Sequence, residues 1–452
     1  MSEDLLWSPL EAEPAEALMG RQLELLNGQL GYLLERSPFY QRKLAAAGIG
    51  AGFRVKRFED LMELPFTVKD ELRQSLERHR PLGEHLACDP GEVIQVQATS
   101  GTTGSPSYVG LTERDCDVWS ELGARALRAG GFAPRDVVLH CWSLSKGFTG
   151  GIPVVKMLQH LGARVLPIGA EAGALRLLTV LDQQAPRGVV GTPNFLTYLG
   201  DQAPDVLGRS LVDSPVEHLV VGGEPGGGIP SIRACLQRSW GATCTEVLGN
   251  SDIAPLIWGE CLDRSGMHFC GQDLVLAELI DPVGLQHVEP MAGASGELVY
   301  TALRRDASPL LRFRSGDRVE VLGTACGCGR SSYKIRCTGR TDDMLIVRGV
   351  NVWPTAVQDI VVAHRPATTG ALRILVDFEG HATNRPLRIQ VERAPDLDAA
   401  GCDALASSLA AAIRSALAFT PRIEVVAPGS VEPPGAGKVR LVERIPSGGS
   451  QP

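Results

Sequence analysis

No run of about 18 apolar residues occurs anywhere in the 452-residue chain, so there is no candidate membrane-spanning helix. A basic surplus is lacking too. Lysine and arginine number 44 against 52 acidic residues, a formal net charge of −8, whereas nucleic acid and anionic membranes attract basic surfaces, so neither is an expected partner. The opening MSEDLLWSPLEAEPAE has no basic-then-apolar export pattern, and the expected compartment is the cytoplasm. The eleven cysteines are odd in number and scattered, which argues against a disulfide framework and for free thiols and metal ligands. There is no internal repeat, and the only low-complexity piece is the tail PSGGSQP, expected to be a disordered end.

What is present is 44% hydrophobic residues, the content of a soluble globular protein, in a chain too long for one ordinary core. From Pro14 to Ala47, Leu18, Leu23, Leu26, Leu30, Leu33 and Leu34 recur at helical spacing up to the glycines of AGIGAG, predicting a helical preface. Short apolar runs (DVVLHCW, ARVLPIG, GVVGT, HLVVGG) then alternate with helical candidates (GGIPVVKMLQHLG, GALRLLTVLDQQ), the pattern of strand-helix units in a layered α/β domain. From GELVYTAL to RVEVL strands alternate. After GRTDD, the strands LRILVDF, LRIQVE and RIEVV and an Ala/Leu-rich helix from Ala404 to Ala418 predict a small α+β domain.

The stretch QATSGTTGSPSYVGLT crowds hydroxyls and glycines into Thr99–Gly104 but has no phosphate-loop lysine, because Ser105 and Pro106 follow Gly104. Such a loop can turn amides and hydroxyls onto an anion, and the same composition also makes an ordinary exposed turn; composition leaves both readings open. Four segments follow it in order: VVGGEPGGG (220–228), EVLGNSDIAP (246–255), LLRFRSGDRVEV (310–321) and GRTDDMLIVRGVNVWPTAVQDIV (339–361). In this order and at these separations they resemble the core motifs of the adenylate-forming enzymes, the superfamily of acyl-CoA synthetases, peptide-synthetase adenylation domains and luciferases. SPFYQRKLAAAGI, FEDLMELPFTVKDELR, GFTGG, GTPNFLTYL and DDMLIVRGVNVWP narrow the resemblance to the phenylacetate–CoA ligase family, from Ser37 to Lys438.

The resemblance implies an α/β large domain of layered sheets and helices over residues 1–338, a hinge at 339–343 around Asp342 and Asp343, and a small mobile α+β domain over 344–452. It implies ATP, Mg²⁺ and coenzyme A as cofactors. Thr99, Ser100, Gly101, Thr102, Thr103 and Gly104 would cradle the β- and γ-phosphates, and the backbone of Gly222, Gly223, Glu224 and Pro225 would lie against adenine and the acyl pocket. Asp317 would accept both ribose hydroxyls, a task for an acceptor-only group, and Arg340 would contact ribose and phosphate. Lys438 matches the lysine brought to the α-phosphate during adenylation, and Gly349 would line the pantetheine path, where a side chain would obstruct it. Asp252 stands at the acidic Mg²⁺ contact, but the motif departs from the family form: Leu248, Gly249, Asn250, Ser251, Asp252 replace aromatic-Gly-x-Thr/Ser-Glu, losing a ring and one methylene of reach.

The expected substrate is an aromatic carboxylate. HCWSLSKGFTGG would wall its pocket, with His140, Trp142, Lys146, Phe148, Gly150 and Leu248 as contacts and Lys146 tuning acid selectivity; the two aromatics read equally as core, and Lys146 as a solvated charge. Cys261-x6-His268 and Cys326-x-Cys328 supply the sulfur and nitrogen set of a closed structural Zn²⁺ site, or else are loops with free thiols, with Cys270 as a competing ligand. An acyl carrier protein or an amine could replace CoA as acceptor after identical first chemistry, and a homodimer is expected from the family. A non-catalytic nucleotide-binding protein is the reading from another class; the Leu248 and Asp252 departures favour it, and Asp317, Arg340 and Lys438 weigh against it.

Overall fold

The computed structural model describes residues 5–99, 107–145, 147–341, 343–431 and 440–445. The helical preface is two helices, α1 (Ala15–Arg36) and α2 (Pro38–Ala46), and not one stretch. The break was written in the chain: Pro38 has no N–H to continue the ladder of α1, and Ser37 caps α2 by accepting from the Tyr40 amide at 3.4 Å. Leu26, Leu30, Leu33 and Leu44 of this pair pack on Leu276, Leu303 and Leu311 of the body. A third helix, α3 (Lys69–Arg78), follows.

The hairpin β1 (Gln95–Ala98) and β2 (Tyr108–Leu111) precedes an 11-stranded sheet. Its strands are β3 (Val137–His140), β4 (Arg164–Pro167), β5 (Gly188–Gly191), β6 (His218–Gly222), β7 (Thr243–Asn250), β8 (Ala254–Glu260), β9 (Met267–Phe269), β10 (Val275–Ile280), β11 (Ser295–Ala302), β12 (Phe313–Gly323) and β13 (Lys334–Arg340). In space they run β10-β11-β12-β13-β9-β8-β7-β6-β5-β3-β4, parallel among β4, β3, β5, β6 and β7 and antiparallel elsewhere. The parallel strands are covered on both faces, which is why they read as unbroken apolar runs. Successive side chains point to opposite faces. Val138, Val190 and Val220 join α4 (Glu113–Ala129) and α5 (Ile152–His160) through Trp119, Leu122 and Met157. Leu139, Val189, Leu219 and Val221 join α6 (Gly173–Gln184), α7 (Pro193–Leu207) and α8 (Pro230–Trp240) through Leu178, Leu196 and Leu236.

Beyond β13 the chain builds a separate core from Leu345, Val347, Val357, Ile374, Ile389, Leu409 and Phe419, between a three-stranded and a four-stranded sheet and the helices α9 (Pro354–Ala363) and α10 (Ala399–Leu417). The last helix starts earlier than its Ala/Leu content suggested, because Asp398 caps it by accepting from the Gly401 amide at 2.7 Å. The tail PSGGSQP lies outside the described residues, among which no helix is long and apolar enough to cross a membrane.

Candidate active site

The carboxyl ends of β3, β5, β6 and β7 share one edge of the parallel sheet, the edge at which open α/β sheets bind ligands. The segments leaving that edge are tied into one rim. Trp142, just past β3, donates from Nε1 to the Gly222 carbonyl at the end of β6 (3.1 Å). Glu224 accepts at Oε1 from the backbone N–H (3.2 Å) and Nδ2 (2.9 Å) of Asn194 in the first turn of α7, where a carboxylate suits the unsatisfied amides and the helix dipole. Thr149 donates to Ser251 past β7 (3.3 Å), and the Ala98 amide of β1 donates to the Gly147 carbonyl (2.8 Å).

Asp317 and Arg340 face each other on β12 and β13, with Arg340 Nη1 2.9 Å from Asp317 Oδ1. Gly316 makes room for this: it has φ +76°, and a Cβ there would sit 2.8 Å from the Arg340 guanidinium. Asp317 is 6% exposed, with its own amide on the Ser315 hydroxyl at 3.0 Å. Asp252, 7% exposed, receives Lys69 of α3 on both carboxylate oxygens at 2.6 and 2.7 Å. Its loop is pinned at the Ile253 carbonyl by Trp119 Nε1 (2.7 Å) and Arg305 Nη1 (2.6 Å), while Asn250 Oδ1 takes the Asp252 amide at 3.0 Å. Gly249 lies against the backbone of Ala254 and Pro255, so no side chain fits there. Lys69 escaped the sequence reading although TVKDELR was singled out, because nothing in a motif signals a partner 183 residues away.

Other assignments shift. Thr99 is buried and spends its hydroxyl on Ser107 (Oγ to Oγ 2.9 Å), fastening the two chain ends that flank residues 100–106. His140 has no exposed surface, with Nε2 2.9 Å from the Gly150 carbonyl and its ring edge-on to Trp142; it lies behind Trp142 with no surface to offer, a correction to the expected ring contact. Burial alone pulls its pKa down to about 4. Trp142 is nearly buried in the main core, a Cβ on Gly150 would meet its ring at 3.5 Å, and Phe148 and Leu248 are half-buried. Gly349 is required by its turn: Arg348 and Gly349 have φ of 51° and 82° between two short antiparallel strands, and an added Cβ would meet nothing within 4 Å. Its φ alone accounts for this glycine, and the open space around it leaves the expected place beside a pantetheine arm untouched. Ser100, Gly101, Thr102, Thr103, Gly104, Lys146, Asp342 and Lys438 lie outside the described residues.

Two acids that the sequence reading passed over support the rim, Glu171 at the surface and Glu246 buried. Glu171 gathers Ser143, the Ser145 amide (3.0 Å) and hydroxyl (2.7 Å) and the Leu144 amide (3.2 Å), and these donors outweigh its desolvation and hold its carboxyl down at about 2. Glu246 of β7 accepts from the Gly226 amide at 3.3 Å beneath the turn that follows Pro225, and desolvation pushes its pKa up to about 7. A Cβ on Gly227 or Gly228 would run into Glu246 at 2.7 and 2.6 Å. Arg233 ties that turn to Glu260 at the end of β8 (2.6 Å), and Glu260 Oε1 in turn takes the Gly266 amide at 3.3 Å.

Cys261, His268, Cys326 and Cys328 converge just past Glu260, their ligand atoms all within 4.8 Å of one another. Cys261 Sγ is 3.5 Å from Cys326 Sγ, and Cys328 Sγ is 3.4 Å from His268 Nε2. Cys270 is outside the set, with its thiol on the His268 carbonyl at 3.6 Å.

Residues 349–444 match the AMP-binding enzyme C-terminal domain. Over 98% of this chain and 93% of the other, the fold superposes with a TM-score of 0.90 and 26% identity on 2-hydroxyisobutyryl-CoA ligase in the postadenylation state. The same ligase in the thioesterification state gives 0.72. Fold and site together define an adenylate-forming enzyme. Phenylacetate-coenzyme A ligase of Thermus thermophilus is 33% identical over 97% of this chain and 99% of its own length, and that of Aromatoleum evansii 29% identical over 97% of each. The chain belongs to the phenylacetate–CoA ligase family.

Proposed function

We propose that this protein activates an aromatic carboxylic acid with ATP and passes the acyl group to coenzyme A. In the first step a carboxylate oxygen bonds to the α-phosphorus of ATP as the bond to pyrophosphate breaks. In the second the CoA sulfur, having shed its proton, bonds to the acyl carbon and AMP leaves. The observation that carries the reading is the match over nearly the whole chain to one acid–CoA ligase in its postadenylation arrangement, far better than to the same enzyme arranged for thioesterification.

Each residue then has a task. Asp317 accepts the ribose hydroxyls while Arg340, held at 2.9 Å, orients the carboxylate and reaches the phosphate. Residues 99–104 and Lys438 act on the phosphates, with Thr99 closing the neck of its loop. The 222–225 backbone lies along adenine, propped by Glu246 and Glu224. Trp142, Phe148, Gly150 and Leu248 wall the ring pocket, and the name of the relatives supports an arylacetate-sized acid. Asp252, with the Ser251 hydroxyl beside it, fits an oxygen-ligand site for Mg²⁺. Lys69 already balances that carboxylate, so the cation is expected to arrive with the nucleotide phosphates and to neutralise their charge.

The four-residue cluster fits a closed zinc site. Zn–S bonds of about 2.3 Å give tetrahedral edges of about 3.8 Å, near the 3.5 and 3.4 Å found. With Nε2 toward the metal, His268 Nδ1 faces the Ser332 hydroxyl at 3.5 Å, as an orienting partner should. All four positions are filled by protein, so the ion would pin the 261–268 and 326–328 segments and take no part in the chemistry.

The test is pyrophosphate release with ATP and Mg²⁺ against phenylacetic, benzoic, hydroxy- and amino-substituted and heteroaryl acids and 2-hydroxyisobutyrate, with and without CoA. Selective aryl turnover that yields a thioester is expected. Preference for the aliphatic acid would overturn the substrate class, and release without thioester would overturn CoA as acceptor.

A further inference from the structure

The small domain meets the large one chiefly through α9 and the turn after it. Val362 packs against the core that contains Ile232 and Leu236. Ser231 donates from its amide and hydroxyl to Asp359 (3.3 and 3.0 Å), and Arg365 grips both oxygens of Asp201 (3.2 and 2.8 Å). A further polar contact continues into the nucleotide edge. Gln358, 3% exposed, donates from Nε2 to Asn194 Oδ1 at 3.1 Å, while the amide end of the same Asn194 side chain holds Glu224. A carboxylate can only accept, so Glu224 demands the Nδ2 end of Asn194 and leaves the oxygen end for Gln358. One asparagine therefore joins the segment proposed to carry adenine to the domain that must turn.

We propose that Asn194 is a positioning residue that couples nucleotide occupancy of the 222–225 segment to docking of the small domain through Glu224–Asn194–Gln358. This rests on the adenylation reading. When α9 leaves, buried Gln358 loses its partner and Asn194 becomes free to turn, so Glu224 loses a fixed donor. By linkage, whatever the nucleotide adds to docking, docking adds to nucleotide affinity. The Asp201–Arg365 pair lies at the same seam without reaching the nucleotide segment, and serves as the control.

AMP binding by calorimetry needs no turnover and is the primary test, on the full-length chain. Asn194→Ala and Gln358→Ala are each expected to weaken AMP by about fivefold or more. The double variant should be no weaker than either single, because both act through one link, and Asp201→Ala, which loosens the seam without touching Asn194, should weaken AMP less than either. Transfer to CoA from supplied acyl-adenylate should be unchanged or faster in Gln358→Ala, a split that a merely misfolded protein would not give. Unchanged AMP affinity in Gln358→Ala, additive losses, or equal losses in binding and transfer would overturn the coupling. If wild type binds AMP yet releases no pyrophosphate with any acid, the catalytic reading falls and the coupling stands; if it binds no AMP, both fall.

Discussion

Arg312 and Arg365 each grip a carboxylate, one inside the large domain and one at the seam with the small domain. Arg312 is sealed with Glu278 (2.8 Å), donates to the Leu64 carbonyl (2.8 Å) and lies over the Phe66 ring, and neither charged side chain has more than 2% exposure. Arg365 is partly open and its partner Asp201 nearly half exposed. The same chemistry is thus fixed in one place and releasable in the other. A buried pair cannot lose one member without stranding a charge, whereas a half-wet pair exchanges its partner for water at little cost. The interior of the large domain stands on the first kind of support, and its seam with the small domain on the second.

The sharpest way to break this contrast is Glu278→Ala, which strands Arg312 and should cost about 3–5 kcal/mol of stability in denaturant unfolding; a loss under about 1 kcal/mol would mean that the large domain's interior pairs are as dispensable as the seam's. Next is Asp317→Ala. Hydrogen bonds to a charged acceptor contribute about 1.5–3 kcal/mol each, so kcat/KM for ATP should fall by roughly a hundredfold or more in steady-state kinetics, with the melting temperature little changed. An equal loss of fold and activity would make Asp317 structural.

The cluster at Cys261, His268, Cys326 and Cys328 tests whether the rim has a third support. Purified protein should carry one zinc per chain by elemental analysis, and Cys328→Ser should carry none and melt several degrees lower. Because Glu260 reaches from this region to Arg233 and the 226–228 turn, that variant should also raise KM for ATP severalfold. Metal-free wild type with an unaltered melt would confine these residues to free thiols.

Glu246 extends the contrast to pH. Its folded pKa of about 7 lies above the ordinary 4.5, with desolvation the main cause, so the folded state favours the neutral carboxyl. The stability this confers is complete below pH 4.5 and is lost as pH rises through 7. Glu246→Gln, which keeps an acceptor for the Gly226 amide, should remove that slope. Relative to wild type it should gain on the order of 1–3 kcal/mol between pH 5 and pH 8; parallel pH profiles would place the ionised carboxylate comfortably in the fold.

These supports also mark where sequence reading stops. The strand-helix alternation, the small α+β unit and the split cysteine pairs were legible because each follows a local period or spacing. The glycines of RSGD and VVGGEPGGG were legible as a motif but not as a mechanism: Gly316 makes way for Arg340, and Gly227 and Gly228 for Glu246, neighbours set by strand register and not by spacing along the chain. Lys69, Asn194 and Glu171 were invisible for the same reason. His140 misled because it stands in the segment expected to wall the acid pocket, and only packing shows its ring closed off behind Trp142. The turn requirement at Gly349 was likewise invisible in the sequence, because a positive φ is set by the register of the two strands it joins.

The smallest effect should come from Asp201→Ala at the seam. Asp201 is nearly half exposed, and Arg365 keeps its bonds to the Thr369 carbonyl, so the freed guanidinium is neither buried nor stripped of acceptors. The expected loss is under about 1 kcal/mol, shrinking further in high salt as screening removes the Coulomb attraction. Docking by α9 would then rest on Val362, the Ser231–Asp359 bonds and the Gln358–Asn194 link, none of which is an ion pair. A loss that matches Glu278→Ala would mean that the seam is locked as firmly as the interior, and that the contrast between the two arginines does not hold.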